Sequence, residues 1–143
     1  MKMNFIVLII TILLLNQACG DKEENCHKTI TFKNISNNSL YVVGSTFYPD
    51  SSIYSGIPNP VLDPTHTKVF PEETNTRVLW GRDCIELAFK DLIPSDTMMV
   101  YVFDAHLLET TPWDSVKANY MVLKRFDLSI EDLENSNWII TYP

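Results

Sequence analysis

The residues able to do chemistry are few. Three cysteines (Cys19, Cys26, Cys84) and three histidines (His27, His66, His106) are scattered through 143 residues that carry 18 Asp+Glu. The densest group is Asp104-Ala105-His106 with Glu109 three residues on, an imidazole between two carboxylates. On a strand, side chains alternate with a period of two, so Asp104 and His106 would share a face and offer two metal ligands. A metal site wants three or four converging N, O or S ligands. Here the third would have to come from His66 or a loop carboxylate, and no closed set is legible. No metal and no cofactor are expected. Acyl transfer by a serine would call for a nucleophile elbow, and no G-x-S-x-G occurs. Four glycines supply no phosphate-cradling loop. None of the eighteen acids stands out as a glycosidase pair. The chain is expected not to be an enzyme.

Cys19 poses a different question. It follows the apolar run of residues 3–15 ("MNFIVLIITILLL"), which has one basic residue, Lys2, ahead of it. A basic end, a short apolar stretch and a small residue before the cut make a secretory signal. A membrane-spanning helix wants about 20 apolar residues, whereas Asn16-Gln17 break this run. Ala18-Cys19-Gly20 resembles the bacterial lipobox, in which the cut falls before a cysteine carrying a diacylglycerol. The family usually has Leu three residues before the cysteine; Asn16 stands there, with Leu15 one step further back. Bacteroidetes lipoproteins accept such variation. They often carry acids just after the cysteine that direct export to the outer surface, and Asp21-Lys22-Glu23-Glu24 looks like that cluster. Each buried methylene contributes about 0.8 kcal/mol, and one acyl chain alone binds only marginally. A triacylated Cys19 would hold the protein firmly. The resemblance implies a signal peptide over 1–18, a lipidated Cys19 with an acidic tether over 19–25, and one domain over 26–143, anchored at the outer membrane of a bacterial envelope.

The charge balance fits that address. With 11 Lys+Arg against 18 Asp+Glu, the net charge is −7. Such a surface repels phosphate backbones, and no basic stripe with interleaved aromatics appears, so nucleic acid is not an expected partner. Anionic headgroups are repelled too, which leaves the lipid as the membrane attachment. In an oxidising envelope, the remaining pair, Cys26 and Cys84, reads as a disulfide. Closing a loop of nearly 60 residues would stabilise the fold by about 4 kcal/mol in the chain-entropy model. The alternatives are two unbridged thiols or, with His27 beside Cys26, a reactive thiol.

The elements that must position these residues read as β. "KTITFK" (28–33) alternates Thr29/Thr31 with Ile30/Phe32, "NISNNS" (34–39) is turn chemistry, and "LYVVGS" (40–45) resumes, so 28–45 is expected to form a hairpin. Within that turn, Asn34-Ile35-Ser36 fits the N-glycosylation pattern, a chance match in a bacterial lipoprotein. Residues 47–65 hold four prolines and form a long connection, either a crossing between sheets or a binding loop. Short strands are expected at 66–70, 77–80 and 84–90. "TMMVYVFD" (97–104), apolar throughout, is expected at the centre of a sheet after the turn Pro94-Ser95-Asp96. Helix is expected only near the C-terminus: Thr111-Pro112 as cap and first residue of one, and Ser129 with Asp132 as a capping box for "IEDLEN". Residues 120–128 and 137–143 read as closing strands. This pattern predicts an all-β fold, an antiparallel two-sheet β-sandwich, Ig-like or similar, with one or two short helical segments.

Trp80, Trp113 and Trp138, with Phe32, Phe89, Tyr101 and Phe103, are expected to fill much of the core. The alternative for Trp113, beside Pro112, is a carbohydrate-stacking platform, with Tyr54 from the long loop as second candidate. The segments 28–43 and 112–143 resemble small Bacteroidetes lipoproteins of unknown function, a likeness that brings no catalytic residues with it. Three readings follow: a binding or interaction module for an envelope protein, a glycan-binding surface protein using Trp113 and the 47–65 loop, and an envelope enzyme using carboxylates or a metal.

Overall fold

The computed structural model describes residues 26–53, 56–79 and 84–143. The signal segment, Cys19, the acidic tether, Tyr54 and Trp80 lie outside the described residues. The strands are β1 (Ile30–Asn34), β2 (Leu40–Ser45), β3 (Lys68–Val69), β4 (Thr74–Leu79), β5 (Met98–Asp104), β6 (Lys124–Leu128) and β7 (Ile139–Tyr142). The helices are α1 (Pro64–Thr67), α2 (Ile85–Leu92), α3 (Ala105–Thr110), α4 (Trp113–Ala118) and α5 (Ile130–Asn135), with a 3-10 turn at Pro60–Leu62. One sheet has the order β4-β1-β7 and the other β3-β2-β5-β6. All pairs are antiparallel except β1 with β7, which run parallel. The fold is sandwich-like, but helices thread it from residue 64 onward, so it is mixed α/β rather than all-β.

Two apolar clusters explain the layering. In β5, Met98, Val100 and Val102 face one cluster, while Met99, Tyr101 and Phe103 face the other. Strand alternation therefore sends one row of side chains to each side of the same sheet. The first cluster joins the two sheets: Ile30 and Phe32 of β1 and Ile140 of β7 meet Leu40 and Val42 of β2, with Phe89 of α2 and Leu133 of α5. The second lies on the outer face of the four-stranded sheet, where Ile53 and Ile57 of the long connection meet Leu108 of α3 and Val116 of α4. The expected central strand over 97–104 is thus present as β5, and its unbroken apolar run reflects burial on both faces.

Several expectations are corrected. The hairpin over 28–45 does not form: β1 and β2 belong to different sheets, and the turn between them is a crossing. Asn34 holds that crossing. Its buried side chain donates to Asn38 O (2.8 Å) and Phe70 O (3.0 Å), and its Oδ1 accepts from the Ser36 N–H (3.0 Å) and hydroxyl (2.7 Å). The long connection, in contrast, does not cross between sheets. It leaves β2 and returns through α1 to β3, which pairs with β2. Residues 85–92 are helix rather than strand, because Ile85, Ala88 and Phe89 are apolar at a spacing that puts all three on one buried side. The expected strand over 66–70 shrinks to Lys68–Val69 after the α1 turn. The strand expected at 77–80 begins earlier, at Thr74, and that over 120–128 begins only at Lys124.

The helix starts divide. Ser129 and Asp132 make the expected capping box for α5. In α4, Pro112 rather than Thr111 occupies the cap and makes no side-chain cap bond. Asp96, in the expected 94–96 turn, takes a left-handed φ of 52°. Asn137 and Trp138 do likewise (φ 51° and 61°), reversing the chain between α5 and β7, so β7 starts at Ile139 rather than 137.

Replacing Asn34 by alanine removes two donated and two accepted bonds, leaving Phe70 O with the Glu73 N–H (3.2 Å) and Asn38 O with the Ser36 hydroxyl (3.3 Å). Each such bond contributes about 0.5–1.5 kcal/mol. Asn34→Ala is expected to lower unfolding free energy by about 2–3 kcal/mol, read as a lower urea midpoint with unchanged slope. Exposed Asn37→Ala should stay within about 0.5 kcal/mol of the parent. Equal effects of the two would remove the role given to Asn34.

Candidate functional site

The Asp104/His106/Glu109 group sits where β5 passes directly into α3. Because helix begins at Ala105, Asp104 and His106 do not share a strand face, contrary to expectation. Asp104 is the N-cap of α3 and accepts from the Leu107 N–H at 2.8 Å. Glu109 accepts from the Tyr41 hydroxyl (3.0 Å) and pairs with Lys68 Nζ (2.6 Å). His106 is exposed. His66, the other imidazole considered for this group, pairs with Asp63 on its own turn. Asp104, His106 and Glu109 do line one surface depression of about 310 Å³ with Asn38, Ser39 and Lys68. Both carboxylates already serve the fold there, one as a cap and one as an anchor for β2 and β3.

That anchoring has an electrostatic signature. The hydrogen bond from Lys68, then that from Tyr41, holds the Glu109 carboxyl below the usual carboxylate range. Burial, then the neighbouring Glu109, pushes the Tyr41 phenol up to about 12, so it remains a donor at any physiological pH. A carboxyl held low in the folded state stabilises the fold fully above its ordinary value of 4.5, and the contribution is lost as pH falls through the lower folded value. The stability difference between wild type and Glu109→Gln should therefore be present at neutral pH and shrink once pH drops below 4.5. Thermal melts across that range check it; a constant difference would show that Glu109 acts through shape alone.

Trp113, read from sequence as core or stacking platform, is half-buried in the outer cluster. Its Nε1–H donates to Ile57 O at 3.2 Å, and the ring meets Phe103 edge-on with centroids 5.7 Å apart. Lys117 Nζ stands 5.8 Å from the ring centroid. The indole thus ties the long connection to the outer face of the four-stranded sheet.

Cys26 and Cys84 are brought together by main-chain contacts that no sequence spacing announces. The Ile85 N–H donates to His27 O (2.8 Å), and the His27 N–H donates to both Glu86 carboxylate oxygens (3.1 and 2.9 Å). His27 Nδ1 lies 2.6 Å from Glu86 Oε1, and its ring stacks on Trp138 at 4.0 Å. Cys84 Sγ lies 3.3 Å from Glu86 Oε2. Burial pushes the Glu86 carboxyl up, but the hydrogen bonds from His27, from its own main chain and from Cys84 together outweigh it and leave the group below its ordinary value. The two sulfurs and a Glu86 oxygen all lie within 4.8 Å of one another, the one such convergence of three Cys, His or acid groups among the described residues. No disulfide joins the sulfurs in this structure.

Sequence reasoning missed a recess at one end of the two sheets. Gly44, near the end of β2, contributes no side chain, and a space of about 330 Å³ opens there. It is lined by Phe47, Ile57, Val78, Leu79 and Met98. Phe47 is 53% exposed, high for so large an apolar ring. Among the described residues that line the recess, the polar side chains are those of Ser45 and Thr46, and none is charged. A glycine inside a strand pattern was the available signal, since it marks a close approach or a gap.

Comparisons with known proteins leave the reading to this geometry: no family model, curated protein or solved structure matches the chain. Among the described residues, no helix is long and apolar enough to cross a membrane.

Proposed function

We propose that the chain is a non-catalytic binding module, held at the bacterial envelope by a lipid on Cys19, whose recess beside Gly44 receives apolar side chains of an envelope partner protein. The apolar described lining of that recess, with Phe47 53% exposed beside it, carries the reading. Ligand sites run from about 300 to 1,000 Å³, so the recess is at the small end and suits one or two side chains. A sugar would need several converging hydrogen-bond partners, and the described lining offers two small side-chain hydroxyls. The lipid anchor rests on the lipobox resemblance, and the acidic net charge leaves no competing electrostatic attachment.

The test uses the full lipidated chain in cells. A photoreactive phenylalanine analogue is placed at Phe47 or, as control, at Leu62, which is 80% exposed. Irradiation should give a discrete protein adduct from position 47 and none from 62. Gly44→Leu fills the recess and should reduce that adduct about tenfold, equivalent to 1.4 kcal/mol of binding. Gly44→Ala is the folding control, because its Cβ would meet Leu79 Cδ2 at 3.4 Å and Met98 Sδ at 3.9 Å, ordinary contacts that should leave the thermal midpoint nearly unchanged. Equal adducts at both positions, or a polysaccharide adduct at 47, would overturn the partner assignment. Independently, Cys19→Ser should abolish palmitate labelling and membrane fractionation; unchanged behaviour would overturn the address.

A further inference from the structure

We propose that Cys26 and Cys84 are a thiol–disulfide pair whose oxidised state staples the segment entering the domain to the first turn of α2. The structure holds the reduced partners in place before any bond is made. Their sulfurs lie within 4.8 Å of one another. The residues next to each are already joined: Ile85 N–H to His27 O, and His27 N–H to the Glu86 carboxylate. His27 is further pinned by its stack on Trp138. Backbone beside both cysteines is thus held by contacts independent of sulfur, and the sulfurs need approach by no more than about 3 Å to reach an S–S distance of about 2 Å. Both cysteines are partly exposed, so an exchange partner can reach them.

The chemistry requires an oxidant, which is a disulfide of an envelope thiol-exchange protein or of a small thiol. One cysteine thiolate attacks that disulfide, forming a mixed disulfide and releasing the first thiol. The other thiolate attacks the mixed disulfide at the protein sulfur and releases the second thiol. The Cys26 and Cys84 sulfurs are oxidised, the donor disulfide is reduced to two thiols, and these take up the two protons. The mechanical consequence follows from position. Cys26 is seven residues after Cys19, a reach of about 25 Å when fully extended. A staple at Cys26 ends that tether at α2, so pull on the chain is borne by a covalent bond rather than by β1 pairing.

Full-length protein is alkylated with maleimide inside intact cells, then mapped with and without reductant. The expected result is no label on Cys26 or Cys84 before reduction, two labels after, and a linked peptide pair about 2 Da lighter than the two thiols. Reduction should lower the wild-type melting midpoint by about 10 °C. Cys26→Ser and Cys84→Ser should each melt near the reduced wild type and ignore reductant. Should either variant fail to fold, the wild-type reductant shift and peptide map still decide. Labelling of both cysteines without reductant, a melt indifferent to reductant, or stoichiometric zinc held by unbridged thiols and Glu86 would overturn the proposal. None of these readouts depends on the recess or on lipidation of Cys19.

Discussion

Chain that leaves one sheet of a sandwich for the other must abandon its ladder hydrogen bonds. At the first such crossing, between β1 and β2, the Asn34 amide replaces them. One side chain donates to carbonyls of Asn38 and Phe70 and accepts from both groups of Ser36. Amide is suited to this because it offers two donors and two acceptor lone pairs on one short stem. A carboxylate would lack the donors, and an aliphatic group would supply neither donor nor acceptor. By bonding to Phe70 O, Asn34 also fixes the return crossing from β3 to β4. Two crossings placed at one edge let Ile30 and Phe32 face Leu40 and Val42, and the inter-sheet core follows from that juxtaposition.

The four-stranded sheet then has a second apolar face, since β5 buries side chains on both sides. Exposing that face would leave Tyr101, Phe103 and Met99 in water, each worth about 1.5–3 kcal/mol of burial. The long proline-rich connection, α3 and α4 cover it, with Trp113 hydrogen-bonded to Ile57 as the tie. A segment with four prolines is suited to lying over a sheet rather than joining it, because proline lacks the donor a ladder needs. The recess belongs to the other face: Gly44 follows Leu40 and Val42 on the side of β2 turned toward the three-stranded sheet, where a Cβ would meet Leu79 and Met98.

Polar chemistry in this domain is largely committed to holding elements together. Asp104 starts α3, Asp132 starts α5, and Glu109 joins β2 to β3 through Tyr41 and Lys68. Glu86 clamps the entering chain to α2 through His27. Three of these carboxylates, Glu109, Glu86 and Asp132, carry lowered proton affinity as a by-product of their partners. Such shifts at caps and anchors have a structural cause.

The sequence determined on its own whatever depends on near neighbours along the chain. Alternation marked β1, an unbroken apolar run marked β5 as a central strand, and Ser129 with Asp132 marked the start of α5. It also supplied the helical spacing of Ile85, Ala88 and Phe89, with the helix formers Glu86, Leu87 and Lys90 among them, against the strand expected over 84–90. What only the tertiary structure decided is which strands pair and which distant residues meet. Two strand segments joined by an Asn/Ser turn suit a hairpin and a sheet-to-sheet crossing equally well, and the choice falls to the Asn34 contact with Phe70, 36 residues away. The meeting of Cys26 with Cys84 and of His27 with Glu86 likewise rests on contacts 58 or more residues apart. Local propensity is a property of the chain; partnership is a property of the packed core, set by which arrangement buries both faces of β5 at once.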